Sequence, residues 1–322
     1  MNSVSHGPES VGTLLKRTHP ELLISKYRLK QAEGIHLVRQ RREQGNQLLG
    51  FNSRPFVLCG LPLRRPPTGQ LLYERRNGNF VLQVTGHPAF GLPFGQDRLV
   101  PIFLATMAVR QQSKTIRFKS ASVMLETFGM AKGGKEYRRV VAAFERIFGA
   151  TMFFGTEPAA TARVIHRARF NFLSEATLWY QRDSAGDNVI TLSEGFFAEV
   201  MAHPIPADLE AVKVLVAAPG VLDLFMWLSY RCFTAKGQES IPLFGPAGLT
   251  HQIGCVDYSR PRRFRAMLDQ WLTTILAVWP ECPARISPCR SNLIVGHELA
   301  ICPDPRTPRA ATFTSGRGAS IR

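Results

Sequence analysis

Cysteine, long apolar runs and negative charge are all scarce in this sequence. Six cysteines are spread over 322 residues, at positions 59, 232, 255, 282, 289 and 302, with no C-x-x-C pair. That is too sparse for a disulfide scaffold and fits a reducing, cytoplasmic setting. No stretch of about 18 uncharged apolar residues occurs, so no transmembrane helix is expected. The first residues, MNSVSHGPESVG, lack the apolar stretch of a signal peptide. Asp plus Glu number 24 against 40 Lys plus Arg, which leaves a formal net charge of +16 and a pI near 10.2. Such a surplus points to a polyanionic partner, nucleic acid ahead of anionic membrane.

Catalytic patterns are scarce as well. The eight histidines include no pair separated by one residue, and no H-E-x-x-H or G-x-S-x-G is present. Cys282, Cys289, His297 and Cys302 follow no zinc-ligand spacing. Residues 129–136, GMAKGGKE, match G-x-x-x-x-G-K, but Glu136 stands where magnesium needs Ser or Thr, and the segment follows a helix and not a strand. The reading is therefore of a protein that is not an enzyme and needs no cofactor or metal.

What is present is enough apolar matter for packed cores: 45% hydrophobic residues and 20% charged exclude global disorder. The length suits about two domains at roughly 150 residues each. Residues 1–50 form a basic arm, in which Leu22 to Gln47 is either a solvated helix or disordered, with Arg39, Arg41 and Arg42 clustered. Phe56 to Cys59 reads as a short β run. Leu71 to Arg75 and Phe80 to Val84 flank Asn77-Gly78, a hairpin signal. Then follow a helix from Arg98 to Arg110, a strand at Thr115 to Phe118 and a short helix ending at Gly129. A turn at 130–134, a helix from Lys135 to Phe148, and strands at Thr151 to Phe154 and Val164 to Phe172 complete this series. Helix, strand, helix, turn, helix, strand, strand is the order of a winged helix.

A second series has the same order. Val189 to Leu192 opens it as a strand, and helices follow at Ser193, Leu209 to Val216 and Val221 to Phe233. Ser240 to Leu243 is extended, Ala247 to Ile253 and Ser259 to Val278 are helical, and Ala284 to Ser287 and Leu293 to Ile301 are strands. The sequence thus predicts a helix-rich α+β chain with two tandem winged-helix domains and a basic N-terminal extension. The boundaries are 1–50 for the arm, 51–185 and 186–305 for the domains, with a linker near Arg182 to Asn188, and 306–322 for a disordered Arg-rich tail.

Two helices carry the candidate chemistry. In 135–148, Tyr137, Val140, Val141, Phe144, Ile147 and Phe148 make one apolar stripe, while Lys135, Arg138, Arg139, Ala142 and Arg146 lie away from it. Residues 98–155 hold ten Lys or Arg against three Glu. An apolar back and a cationic front are what a recognition helix needs: arginine pairs bidentately with guanine, at about 1–3 kcal/mol of discrimination per pair. In 259–278, Phe264, Met267, Leu268, Trp271, Ile275 and Val278 face inward, and Arg260, Arg262, Arg263 and Arg265 crowd the first turn. There they oppose the helix dipole, which an anionic partner would relieve. Lys132, Lys135, Arg138, Arg139 and Arg146 are the expected DNA contacts of the first domain, and the four arginines of 260–265 those of the second. Arg117 and Lys119 are expected on phosphates. The bland reading of both helices is a solvated basic surface.

The run FGLPFGQDRLVPIFLATMAVRQQSKTIRFKSASVMLETFGMAKGGKEYRRVVAAFERIFGATMFFGT at 90–156 resembles RepA-type plasmid replication initiators of bacteria. So do ITLSEGFFAEVMAHPIPADLEAVKVLVAAPGVLDLFMWLSYR at 190–231 and SRPRRFRAMLDQWLTTILAVWPECPARI at 259–286. The resemblance implies tandem winged helices that bind repeated double-stranded sites (iterons) in a plasmid origin. It implies melting of adjacent AT-rich DNA, loading of the host replicative helicase with the host chromosomal initiator, exchange between dimer and monomer, and repression of the protein's own gene. It implies no catalytic residue. A transcriptional regulator of the same fold without a replication role is the alternative. A nickase or primase would need a carboxylate cluster or a Tyr beside paired His, and binding to a membrane surface is set aside because Leu22 to Gln47 has only a weak apolar face.

Overall fold

Lys26–Glu43 (α1) is a helix with no acidic residue in its first turn and hardly any apolar face, so tertiary contacts must hold it. Val38 is fully buried, and the Cβ position of Gly34 lies 2.8 Å from Val214. Arg42, itself buried, donates to the carbonyls of Ala300 and Leu299 and to Glu281, while Arg39 donates to the Ala277 carbonyl at 2.8 Å. This part of the basic arm is helical, and its Arg39 and Arg42 bind the far end of the chain. The computed structural model describes residues 26–78, 80–156, 167–170, 173–177, 187–245, 248–255 and 260–301. The start of the arm, most of the predicted linker and the Arg-rich tail lie outside them.

Leu49–Asn52 (β1) is followed at once by a short helix, Arg54–Leu58 (α2), where a β run was expected. Ser53 occupies the N-cap with Pro55 in the first turn, a placement that suits helix initiation, and a four-residue apolar run alone does not separate strand from helix. Leu72–Asn77 (β2) and Phe80–Thr85 (β3) form the expected hairpin, with Asn77 opposite Phe80 and Gly78 at φ +58°. A 3₁₀ turn, Gly95–Arg98, leads into Leu99–Gln111 (α3), most of which is buried.

Thr115–Phe118 (β4), Ala121–Thr127 (α4) and Gly134–Gly149 (α5) follow, with Gly129 at φ +60° ending the shorter helix. Next are Thr151–Thr156 (β5), Arg167–Phe170 (β6), Leu173–Thr177 (β7) and Asn188–Leu192 (β8). Glu194–Ala202 (α6) is capped by the Ser193 hydroxyl, which accepts from the Phe196 amide. Ile205–Asp208 (β9) pairs with β1, and the Asp208 carboxylate caps Leu209–Leu215 (α7). Pro219–Thr234 (α8), Glu239–Pro242 (β10), Leu249–Gln252 (α9), Pro261–Val278 (α10), Arg285–Ile286 (β11) and Asn292–Val295 (β12) close the chain.

About half of the described chain is helical, so the α+β class holds. Pairing corrects two strand assignments. β5 and β6 join the hairpin in a sheet of order β2-β3-β5-β6, instead of flanking α5 as a wing. β8, read as opening the second series, is the central strand of β4-β8-β7 and belongs with the first. Sequence spacing cannot choose between adjacent β segments as partners for a four-residue strand. Corrected in this way, the two series match. Helices α3 and α8 lead, α4–α5 and α9–α10 follow, and the sheets β4-β8-β7 and β10-β12-β11 each place the last strand in the middle.

The cores fuse into one. Phe103, Phe118 and Phe144 pack ring to ring behind α5, with Phe103 edge-on to Phe118 at 5.3 Å. Trp227 and Trp279 are buried, and the Trp271 ring presses on Gly220, whose Cβ position is 2.4 Å from it. Arg98 joins the halves: only 5% exposed, it pairs with Asp223 of α8 and donates to the carbonyls of Gly95, Leu61 and Pro62. Burial pushes the Asp223 carboxyl above the usual carboxylate range, while Arg98 pulls it back. Removing one member of a buried pair strands the other charge, at about 3–5 kcal/mol. Arg98→Ala is therefore expected to lower the unfolding free energy by about that much, read from the urea midpoint.

Candidate nucleic-acid interface

Helix α5 starts at Gly134 behind the N-cap Gly133, and Val140, Phe144 and Ile147 bury its apolar side. That burial turns Lys135, Arg138, Arg139, Ala142 and Arg146 outward, and all five line one groove of about 730 Å³. The lining also includes Leu63, Arg64 and Arg65, Phe94 to Asp97, and Ala217 and Pro219 of the second series. Leu99, Met124, Met130 and Val140 add apolar surface to it. Among the described residues Asp97 is the one carboxylate in the lining.

The cations gathered there are of two kinds. Lys135 and Arg138 are exposed. Arg139 pairs with Glu136 one turn back at 2.9 Å, a contact 55% exposed on the arginine side. Lys132, outside the groove, pairs with Glu126 with both side chains more than half exposed. Exposed pairs of this sort are worth about 0–1 kcal/mol, so either cation can exchange its partner for a phosphate.

Arg146 is different. Its Nε and Nη2 hold both Asp97 oxygens at 2.6 and 2.8 Å, its guanidinium lies 4.8 Å from the centre of the Phe94 ring, and only 18% of the side chain is exposed. Arg146, expected on DNA, gives the Nε–Nη2 edge of its guanidinium to the Asp97 carboxylate, a pair that fastens α5 to the 3₁₀ turn. Asp97 precedes Arg146 by 49 residues, a partner no local pattern reveals.

Arg117 and Lys119 are exposed on and just after β4, beyond the groove lining. On α10, Arg260, Arg262 and Arg263 stand exposed at the first turn. Arg265 packs its guanidinium 5.2 Å from the Phe244 ring and donates to the Arg290 carbonyl at 2.7 Å, while Arg290 pairs with Asp269. Arg265 therefore braces the β11–β12 hairpin against the helix. Of the expected contacts, Lys135, Arg138, Arg139 and Arg146 line the groove of α5, Lys132, Arg117 and Lys119 lie outside its lining, and Arg260, Arg262, Arg263 and Arg265 sit at the start of α10.

Sequence reasoning missed Arg64 and Arg65. Their signal was available in the run Arg64-Arg65-Pro66-Pro67, a basic pair ahead of two prolines in an extended segment.

The hairpin after β11 carries an exposed thiol, Cys289. Hydrogen bonds with the Ser287 and Ser291 hydroxyls, 3.3 and 2.8 Å away, lower its pKa to about 7. Cys59 is buried, which pushes its thiol up to about 12. Among the described residues no group of three His, Cys, Asp or Glu is placed to hold a metal ion. No described helix is long and apolar enough to cross a membrane.

These features define a class: an α+β protein with two like-ordered helical units, each presenting arginines from a helix whose back is buried. Residues 135–241, from α5 into β10, match the family model described as plasmid encoded RepA protein. Over that third of the chain the protein is similar to RepA plasmid replication initiators, which makes the resemblance read from the sequence a finding. No curated protein matches. Two solved structures of domains 2 and 3 of RctB are similar in outline. One is 13% identical with a TM-score of 0.47, covering 68% of this chain and 81% of that one. The other, from selenomethionine derivatives, is 14% identical with a TM-score of 0.45, covering 66% and 80%. Likenesses so slight carry no argument here.

Two outcomes check these placements. Arg146→Ala is expected to lower stability by about 3 kcal/mol, since it strands buried Asp97, whereas Arg138→Ala changes it by no more than about 0.5 kcal/mol; thermal unfolding of both distinguishes clamp from contact. Iodoacetamide should modify Cys289 first among the described cysteines. Its rate should rise about tenfold from pH 6 to pH 8 and then level off, as thiolate with a pKa near 7 does.

Proposed function

We propose that this protein is a plasmid replication initiator that binds repeated double-stranded DNA sites sequence-specifically, through two winged helices in tandem. The observation that carries the reading is the face of α5. Its cationic residues converge on one groove, its apolar back is sealed in the core, and it opens the stretch that matches the RepA model. The two units support the tandem winged helix, because each has the order helix, strand, helix, helix and a three-stranded sheet with the last strand central. In this reading α5 and α10 are the recognition helices and the hairpins β7–β8 and β11–β12 the wings. Lys132, Lys135, Arg138 and Arg139 contact DNA in the first unit, Arg260, Arg262 and Arg263 in the second, and Arg117 and Lys119 hold phosphates.

The rest follows from RepA likeness. The protein acts in the cytoplasm and without catalysis. It self-associates as a dimer to repress its own gene, and as a monomer it opens the origin and loads the host replicative helicase beside the host chromosomal initiator.

Arg138→Ala combined with Arg139→Ala tests the site. Against duplexes tiled across the DNA flanking its gene, the wild type should pick out a preferred site by about 10³-fold or more over a scrambled duplex at physiological salt. The double variant should lose roughly 10–100-fold on that site and less than about threefold on the scrambled one. Equal losses on both would reduce these residues to phosphate contacts. Supplying the protein in trans to a minimal origin then separates initiation from regulation: repression without replication would favour the transcriptional regulator.

A further inference from the structure

The groove of α5 has a second wall whose position is built in. Segment 60–67 brings Arg64 and Arg65, both exposed, to the same lining as the helix residues. Its root cannot drift. The Leu61 and Pro62 carbonyls each accept from Arg98 Nη2 at 3.0 Å, and the Pro62 carbonyl accepts from the Gly95 amide at 2.9 Å. The same 3₁₀ turn presents Asp97 to Arg146 of α5. The separation of the two walls is therefore set by a continuous chain of contacts: segment 60–67, Arg98 and Gly95, Asp97, Arg146, helix. Arg98 and Arg146 within that chain pair with Asp223 and Asp97. Arg64, Arg65, Lys135 and Arg138, exposed in the lining, carry charge of one sign.

We propose that Arg64 and Arg65 are phosphate-holding residues of the DNA interface, gripping across the groove the backbone of a strand that Lys135 and Arg138 meet from the helix side. This rests on the reading of α5 as the DNA-contacting helix. Duplex DNA fits the mouth better than a small anion. Four cations of one sign share the lining, two from segment 60–67 and two from α5, and a DNA backbone presents one negative charge per about 3.4 Å of each strand, whereas a single small anion satisfies only one or two of them. The wall is set before DNA arrives, so little ordering is required on binding. Being on backbone, the contacts position the duplex without reading its sequence.

The test is a salt titration of binding by the full-length protein, with Arg64→Ala/Arg65→Ala beside Lys135→Ala/Arg138→Ala, on the preferred duplex and a scrambled one. Removing one phosphate-holding cation flattens the plot of log K against log salt by about 0.9. The Arg64/Arg65 variant should flatten it by about 2 and weaken both duplexes by the same factor, roughly tenfold or more at low salt. Arg64→Lys/Arg65→Lys, which keeps the charges, should restore most of the slope. Thermal unfolding should match the wild type, since both side chains are exposed. An unchanged slope in the Arg64/Arg65 variant, with Lys135/Arg138 still costing affinity, would overturn the second wall and leave the α5 reading standing. Unchanged binding in both variants would remove the α5 reading itself, and the second wall with it.

Discussion

The buried Arg98 guanidinium is the constraint on which the architecture hangs. A charge at that depth survives only when its donors are occupied, and Arg98 satisfies them from three parts of the chain: segment 60–67, the 3₁₀ turn before α3, and Asp223 of α8. Gly60 exists to let that happen, because a Cβ there would meet the Asp223 carboxylate at 2.5 Å. A neighbouring arginine extends the join. Arg75 of β2 donates to the Tyr73 hydroxyl and to the His251 carbonyl of the second series, and Tyr73 donates to the Gly60 carbonyl. Two units that a simple reading separates by a linker are held instead by buried, fully partnered polar groups.

The +16 charge is therefore not a uniform coat. Arg42, Arg75, Arg98 and Arg146 are engaged by carbonyls, carboxylates and a tyrosine hydroxyl inside the protein. Arg265 works on a ring and a hairpin turn. Among the described residues, exposed cations lie along the α5 groove, on and after β4 and at the first turn of α10. Arg146 and Arg138, two turns apart on α5, divide in the same way: one is held by Asp97 and the other is exposed.

Local elements were legible where periodicity and punctuation agreed. The stripe of Val140, Phe144 and Ile147 placed α5 and its cationic face, the Asn77-Gly78 pair placed the hairpin, and Gly129 marked a helix end. Short apolar runs were not legible: Phe56 to Cys59 turned helical behind Ser53 and Pro55. Strand partners were not legible either, and β8 crossed from the second series to the first. Of the candidate site, Lys135, Arg138, Arg139 and Arg146 share one groove; Arg146 and Arg265 also hold partners inside the protein, and Arg64 and Arg65, in the same lining, were not singled out.

The sequence by itself determined class, sign and rhythm: an α+β chain, a cationic surplus, and two helices with buried backs and basic fronts. These depend on residue type and on spacing within a few turns, which a linear reading can count. Tertiary structure alone decided which arginines serve the interior and which face outward. That depends on partners tens to hundreds of residues away, such as Asp97 for Arg146, Asp223 for Arg98 and the Ala300 carbonyl for Arg42. Burial turns an ordinary pairing into a structural requirement only once the fold has removed water from it.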